Sequence, residues 1–315
     1  MQAIYFTEYG PPEVLHFGAQ PRPAPQAGQV LVKVHASSVN PIDWKLRQGD
    51  MKVVSGFCFP KIPGRDLAGV VAEVGPGVTQ FKVGDKVFGM ADAHLGGANA
   101  EYALLAAKAA ATLPAGLSFE QAAAVPLAAL TALQALRDKG TLTEGDRVLV
   151  LGAAGGVGSM AVQLARLLGA GYVAGTARAA NHALLDQLGV DDAIDYQARD
   201  FTQVPNQYDV IFDAVAASTY LAAKDALRPG GRYVTTVPDP QDVLLGGVTS
   251  VFSNKKLKLI LAKDDGADLH QLAQWLGAGQ LRPVIGRTFP LADTAAAHRY
   301  SAEGHAVGKI VLRVA

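Results

Sequence analysis

Residues 147–158 read Arg-Val-Leu-Val-Leu-Gly-Ala-Ala-Gly-Gly-Val-Gly, an apolar run that enters a glycine turn. From Ser159 to Leu168 apolar residues recur at helical spacing, at Ala161, Leu164, Ala165 and Leu168. Strand, glycine turn and helix in that order form a phosphate cradle. Gly155 and Gly156, flanked by Ala154 and Val157, let backbone N–H groups approach a pyrophosphate. Gly158 lets the helix pack close to the strand. The helix N-terminus then faces the anion with unpaired N–H groups and the positive end of its dipole. A dinucleotide is the expected ligand, although Ala153 stands where the first glycine of G-x-G-x-x-G is usual. The competing reading, a plain strand-to-helix turn, is disfavoured by this context.

A second strand follows, Tyr172 to Ala177, and ends in Thr176-Ala177-Arg178. In NAD-selective sites an acidic residue roughly 20 positions after the glycines binds the ribose 2′-hydroxyl. None is present here. A guanidinium suits a 2′-phosphate that a carboxylate would repel, so Thr176 and Arg178 point to NADP(H). A solvated arginine at a helix start is the structural alternative.

These residues need a scaffold. The first 110 or so residues alternate like half-buried strands between glycine and proline turns (Val30 to Ala36, Leu67 to Val74, Val83 to Gly89), which predicts a mainly antiparallel, barrel-like domain. Phe119 to Leu136 is alanine- and leucine-rich and reads as helix. Strands and helices then alternate: strand 147–151, helix 159–168, strand 172–177, helix 180–188, strand 193–196, strand 209–214, helix 220–227, strand 232–237 and strand 257–261. Pro229-Gly230-Gly231 is read as the stop of the helix over 220–227. Fully apolar strands in such alternation predict a six-stranded parallel sheet covered on both faces. A helix over 269–276 follows, and the final strand, Lys309 to Val314, is expected to return to the first domain.

Composition narrows the classes. Lys plus Arg number 28 and Asp plus Glu 28 in 315 residues, a balance that points to neither nucleic acid nor an anionic membrane surface. No run approaches the roughly 20 apolar residues of a membrane span, and Met1 to Phe6 reads as a strand rather than a leader. Cys58 is the single cysteine, which excludes an internal disulfide and a multi-cysteine zinc site and fits a reducing, cytoplasmic setting. The seven histidines show no H-x-x-x-H or H-E-x-x-H spacing, so no metal site is expected.

The chain resembles the medium-chain dehydrogenase/reductase superfamily in its zinc-free quinone oxidoreductase-like branch. The resemblance rests on Ser38-Val39-Asn40-Pro41-Ile42-Asp43, Ile62-Pro63-Gly64-Arg65-Asp66-Leu67-Ala68-Gly69, Ala153 to Gly158 and Gly308-Lys309-Ile310-Val311-Leu312. In that branch Ala-x-Gly-Gly-Val-Gly is the usual turn. Asn40 to Gly49 looks like the N-P-x-D-x-K-x-R-x-G of alkenal/enone oxidoreductases, with Lys45 where typical quinone reductases place a tyrosine. Zinc-dependent members carry a ligand cysteine where Asn40 falls and a ligand histidine where Arg65 falls. The resemblance implies a GroES-like, mainly β catalytic domain from residues 1–122 and 264–315. It further implies a Rossmann doubly wound NADP(H)-binding domain from residues 123–263.

It also implies chemistry. Hydride delivered to the β-carbon of an enone or alkenal, or to a quinone, leaves negative charge on an oxygen. Lys45 and Asn40 are the candidate donors to that oxygen. Asp43 either holds the loop or pairs with Lys45, and Asp66 is expected to close an internal ion pair. The resemblance places Thr131 near the nicotinamide amide and Tyr196 near the adenosine phosphate. Val215 lies at the carboxyl edge of the sheet, and Lys309 is assigned to the cofactor. The expected activity is NADPH-dependent, zinc-independent reduction of enones, alkenals or quinones. A quinone reductase proper, an NADPH-binding protein with little catalysis and an enoyl-thioester reductase are the alternatives. A homodimer is expected through the sheet edge near Val251 and Leu257 to Leu261.

Overall fold

The structure is a computed structural model that describes residues 1–91, 96–236, 245, 249 and 253–314. The chain forms two compact units, Met1–Leu127 with Asp264–Ala315, and Ala128–Lys263.

The first unit opens with β1 (Gln2–Tyr5) and β2 (His16–Ala19), an antiparallel pair. The long β3 (Gln29–Val39) runs into α1 (Pro41–Gln48) and a single turn, α2 (Lys52–Ser55). Then come β4 (Asp66–Val74), β5 (Lys86–Met90), β6 (Tyr102–Ala106), β7 (Ala110–Thr112) and α3 (Phe119–Ala123). α4 (Pro126–Gln134) begins in this unit and carries the chain into the second. The alanine-rich stretch from 119 is therefore broken rather than one helix. Pro126 has no N–H to continue an earlier turn, and residues 135–139 form a wide turn closed by the Gly140 N–H on the Ala135 carbonyl at 2.7 Å.

The second unit contains β8 (Arg147–Leu151), α5 (Gly156–Leu167), β9 (Tyr172–Ala177), α6 (His182–Gln187), β10 (Asp192–Asp195), β11 (Tyr208–Asp213), α7 (Tyr220–Ala223), β12 (Leu227–Thr235) and β13 (Lys256–Leu259). All six strands are parallel, in the order β10-β9-β8-β11-β12-β13. Counted from β8 that order is 3-2-1-4-5-6, doubly wound with its reversal between β8 and β11. Leu149, Leu151, Ile211, Tyr220, Tyr233 and Leu257 form part of one buried face. The expected helix over 220–227 is a correction. α7 ends at Ala223, Leu227 is buried opposite Tyr208, and Pro229-Gly230-Gly231 lies inside β12 where the register shifts. Gly230 takes a left-handed φ of 83° there and its N–H bonds the Asn254 carbonyl. Val237 and Val251 lie outside the described residues.

The chain returns to the first unit through α8 (Gly266–Gly277), β14 (Ile285–Pro290), α9 (Thr294–Ala302) and β15 (Lys309–Arg313). β15 pairs antiparallel with β3, which completes a seven-stranded sheet ordered β14-β15-β3-β4-β5-β7, with β6 also on β3. β3 is its spine, and Val30, Val32, Val34, Leu67 and Val87 pack beneath it. Among the described residues no helix is long and apolar enough to cross a membrane.

One loop of the second unit is built by a single buried carboxylate. Asp213, at the end of β11, accepts the N–H groups of Val215, Ala217 and Ser218 at 3.1, 3.0 and 2.9 Å and the Tyr233 hydroxyl at 2.7 Å. Asp213→Ala would strand these donors, and buried donors without acceptors cost about 1–3 kcal/mol each. The expected result is a fall of several degrees in the calorimetric unfolding midpoint, with a smaller fall for Asp213→Asn.

Candidate functional site

In the first unit the chemistry gathers around Asp66, the first residue of β4 and wholly buried. Its Oδ2 accepts from Ser38 Oγ at 2.6 Å, Asn40 Nδ2 at 2.9 Å and Lys309 Nζ at 3.1 Å. Its Oδ1 accepts the Leu127 N–H, in the first turn of α4, at 2.8 Å. Strand register explains the convergence. Ser38 faces Asp66 across β3 and β4, and Ile310 faces Val39 across β15 and β3, which carries Lys309 to Asn40. Lys309 Nζ also donates to Asn40 Oδ1 at 2.5 Å.

This hub sets the surroundings of two residues singled out in the sequence. Lys309 was assigned to the cofactor, but it is buried and its ammonium is held by Asn40 and Asp66. Asn40 was a candidate donor to substrate. Its amide is clamped at both ends, with the oxygen on Lys309 and one hydrogen on Asp66. The expected ion pair of Asp66 is present.

α1 presents Asp43, Lys45 and Arg47. Asp43 does not pair with Lys45. It folds back from the third helical position so that its Oδ2 accepts the Asn40 N–H at 2.8 Å, holding the loop as a helix cap. It is buried, and of the two roles read from the sequence, holding the loop is the one its contacts carry. Burial pushes its carboxyl up to about 7, against the opposing pull of the Asn40 amide and Arg65. Lys45 is half-buried, with Nζ 5.6 Å from the Trp44 ring centroid and, among the described residues, no carboxylate partner. Trp44 is fixed by its indole N–H on Ser301 Oγ at 3.2 Å. Arg47 is fully buried, and burial, helped by that guanidinium, pushes His298 down to about 3, so the imidazole is neutral.

In the second unit the expected residues line the carboxyl edge of the parallel sheet. Gly155 caps α5, which starts at Gly156, earlier than the spacing predicts. The N–H groups of Gly156, Val157 and Gly158 open the helix and have no intrahelical acceptor. A Cβ on Gly158 would lie 2.1 Å from the Gly152 carbonyl oxygen, so only glycine brings α5 this close to β8. Gly152, which sequence reasoning passed over, holds a φ of 74°, and a Cβ there would meet both Val215 methyls at 2.7 Å. Val215 therefore sits on the glycine turn where β8 and β11 adjoin, the reversal point at which such sheets bind ligands.

Arg178 and Tyr196 come together. Ala177 pairs with Asp195 in the parallel register of β9 and β10, so the next residues are neighbours. Arg178 Nε donates to the Tyr196 hydroxyl at 3.0 Å, and both residues are exposed. Thr176 is different. It is buried, and its hydroxyl and carbonyl accept the Gly152 and Ala153 N–H groups at 3.0 and 2.9 Å. It ties the glycine turn to the end of β9. Thr131 lies buried within α4.

The two edges differ in what they fit. The glycine turn, the helix start and the Arg178–Tyr196 pair suit a phosphorylated dinucleotide. The hub does not suit a catalytic zinc, because the Lys309 ammonium already supplies the cation beside Asp66 and Asn40 offers only a clamped amide. Among the described residues no group of three or more His, Cys, Asp or Glu is placed to hold a metal.

Comparison with known proteins gives two family matches: an alcohol dehydrogenase GroES-like domain over residues 26–115 and a zinc-binding dehydrogenase over residues 188–312. A 2-methylene-furan-3-one reductase of Solanum lycopersicum is 36% identical over 99% of this chain and 79% of its own. An NADPH-dependent alkenal/one oxidoreductase, chloroplastic, of Arabidopsis thaliana is 35% identical over 99% of this chain and 79% of its own. The solved quinone oxidoreductase from Coxiella burnetii superposes with a TM-score of 0.91 at 35% identity, covering 100% of this chain and 99% of that one.

Asp43 generates a pH prediction. Its folded pKa, about 7, lies above the ordinary 3.8, so the folded state holds the proton more tightly. Its contribution is fully present below about pH 4 and is lost as pH rises through about 7. Replacing Asp43 with Asn should flatten the rise in thermal midpoint that the wild type shows between pH 7 and pH 5, read by calorimetry across that range.

Proposed function

The chain belongs to the medium-chain dehydrogenase/reductase superfamily, in its quinone and enone reductase branch, and from that premise we propose that it reduces the activated double bond of α,β-unsaturated ketones and aldehydes, or quinones, with NADP(H). The observation that carries the reading is the Arg178 guanidinium, held by Tyr196 at the end of β9 where no carboxylate stands. A 2′-phosphate gains charge-assisted hydrogen bonds there, and a selective acid is missing.

When bound, NADPH supplies the hydride. The first turn of α5 receives the pyrophosphate on the N–H groups of Gly156, Val157 and Gly158, with Ala154 and Gly155 in the same turn. Val215 and Thr131 bound the nicotinamide end. Lys45 meets the substrate oxygen on which negative charge develops, and, having no carboxylate partner among the described residues, its ammonium is available to that charge. It also offers a proton to the resulting enolate. Asn40, locked by Asp66 and Lys309, fixes the start of α1 and thereby the helix that carries Lys45. We place the protein in the cytoplasm, which its lone free, exposed Cys58 supports. We also propose a homodimer through β13, which among the described residues has a strand neighbour on one side only.

A panel of enones, alkenals and quinones followed by NADPH absorbance, with NADH as control, tests the reading. Oxidation with NADPH in preference to NADH is expected, and coenzyme binding without oxidation of any substrate would overturn it. Arg178→Ala should cut the NADPH-over-NADH preference in kcat/KM by roughly tenfold or more, the scale of one to two charge-assisted bonds. Lys45→Ala should lower kcat by about a hundredfold while NADPH affinity by calorimetry stays near the wild-type value.

A further inference from the structure

A hollow of about 340 Å³ opens on the first unit, and none of its walls belongs to a residue given a substrate or coenzyme role. Ala107 and Lys108 lead into β7 on one side, the first turns of α8 form another, and the loop bearing Phe81 forms the third. Gly266 brings the helix in. A Cβ there would lie 2.2 Å from the Lys108 carbonyl oxygen, so only glycine lets the start of α8 press this close. Asp265 caps the helix, its carboxylate accepting the Ala267 and Asp268 N–H groups at 2.8 and 3.1 Å. Gly266, Ala267 and His270 then share the helix face turned to the hollow. Opposite them Ala107, Ala110 and Ala111 leave the space open, because a methyl group is too short to fill it.

The hollow lies along a free sheet edge. Among the described residues β7 pairs with β5 alone. The Leu113 N–H bonds the Lys86 carbonyl at 2.9 Å, and bonded residues alternate along an antiparallel ladder. Ala111, opposite Phe88, is therefore bonded, while Ala110 and Thr112 turn their N–H groups away from β5. Ala110 shows this directly, with its N–H on the Ala107 carbonyl. The Thr112 N–H points the same way and meets no acceptor among the described residues.

Charge selects the occupant. The Lys108 ammonium is exposed and, like the His270 imidazole, makes no hydrogen bond or ion pair among the described residues. The acid at this rim, Asp265, is spent on its two backbone donors. One ammonium beside neutral donors matches a single negative charge. The alanine floor and the Phe81 ring match a flat apolar body, and the volume is at the small end of ligand pockets.

We infer that this hollow binds a flat aromatic monocarboxylate, its carboxylate on the Lys108 ammonium and the Thr112 N–H and its ring between Phe81 and the alanines.

The test titrates benzoate into the isotope-labelled full chain and follows the backbone amides by NMR. Saturable shifts should centre on Thr112 and Ala267, with a Kd of roughly 1 mM for so small a ligand. Naphthoate, with a second fused ring, should bind about fivefold tighter. Lys108→Met keeps the stem, removes the charge and should weaken benzoate about tenfold. Thr112→Pro deletes the outward N–H and no ladder bond, and should weaken it about fivefold. Thr112→Val, which deletes only the hydroxyl, should bind as the wild type does. Ala267→Phe, at an exposed position, should fill the hollow and abolish binding. Benzyl alcohol has the same ring without the charge and should bind the wild type at least about tenfold more weakly than benzoate, a comparison that needs no variant to fold. No saturation by about 20 mM benzoate overturns the site. So do shifts that centre elsewhere, equal affinity for benzyl alcohol, or unchanged affinity in Lys108→Met. No turnover is read, so failure here leaves the reductase reading intact, and failure of that reading leaves this site intact.

Discussion

The first unit depends on one buried charge. Asp66 sits without solvent at the start of β4, and four donors from three separate stretches of the chain close on its two oxygens. A buried ion pair contributes little net stability over a well-packed apolar substitute, because desolvation offsets the attraction. Its value here is discrimination. Only one register of β3 against β4 and of β15 against β3 brings Ser38, Asn40 and Lys309 to the same carboxylate, and a slip by one residue would leave a charge uncompensated in the core. The same constraint fixes the entry to α1 and orients the helix on which the proposed chemistry rests.

The second unit solves its problem with backbone rather than charge. Gly158 and Gly152 remove two side chains that would block α5 and Val215, Thr176 ties the turn to β9, and Asp213 folds the neighbouring loop. On the proposed reading, coenzyme choice falls to Arg178 beside Tyr196, an exposed guanidinium just past the end of β9. Fixed backbone dipoles would receive any dinucleotide, whereas the proposed role of this guanidinium is to distinguish between two that differ by a phosphate.

Much of this was legible in the sequence. Uninterrupted apolar strands announced the parallel sheet, and the glycine turn announced the junction of β8 with α5. Arg178 and Tyr196 could each be singled out, but their contact is a product of parallel register. Short helices were harder. Tyr220 to Leu227 carries helical spacing, yet the pairing of Leu227 with Tyr208 captures its end for β12. Asp213 was missed because nothing local to the end of an apolar strand shows that its polar residue faces inward. Lys309 and Asn40 lie 269 positions apart, a separation across which no spacing rule operates. The family likeness supplied Lys45, which composition alone would have left among ordinary surface lysines.

The division of the first unit into two stretches of chain has a consequence for biogenesis. The second unit is one uninterrupted segment, Ala128–Lys263, and can complete its core while the ribosome is still extending the polypeptide. The first unit cannot, since its spine strand waits for β15, and with it for the ammonium that neutralises Asp66. Until that strand emerges, the nascent domain holds an unpaired stretch of β3 and a carboxylate whose cationic partner has yet to be made, so the charge that locks the finished molecule also delays its closure to the last few residues of synthesis.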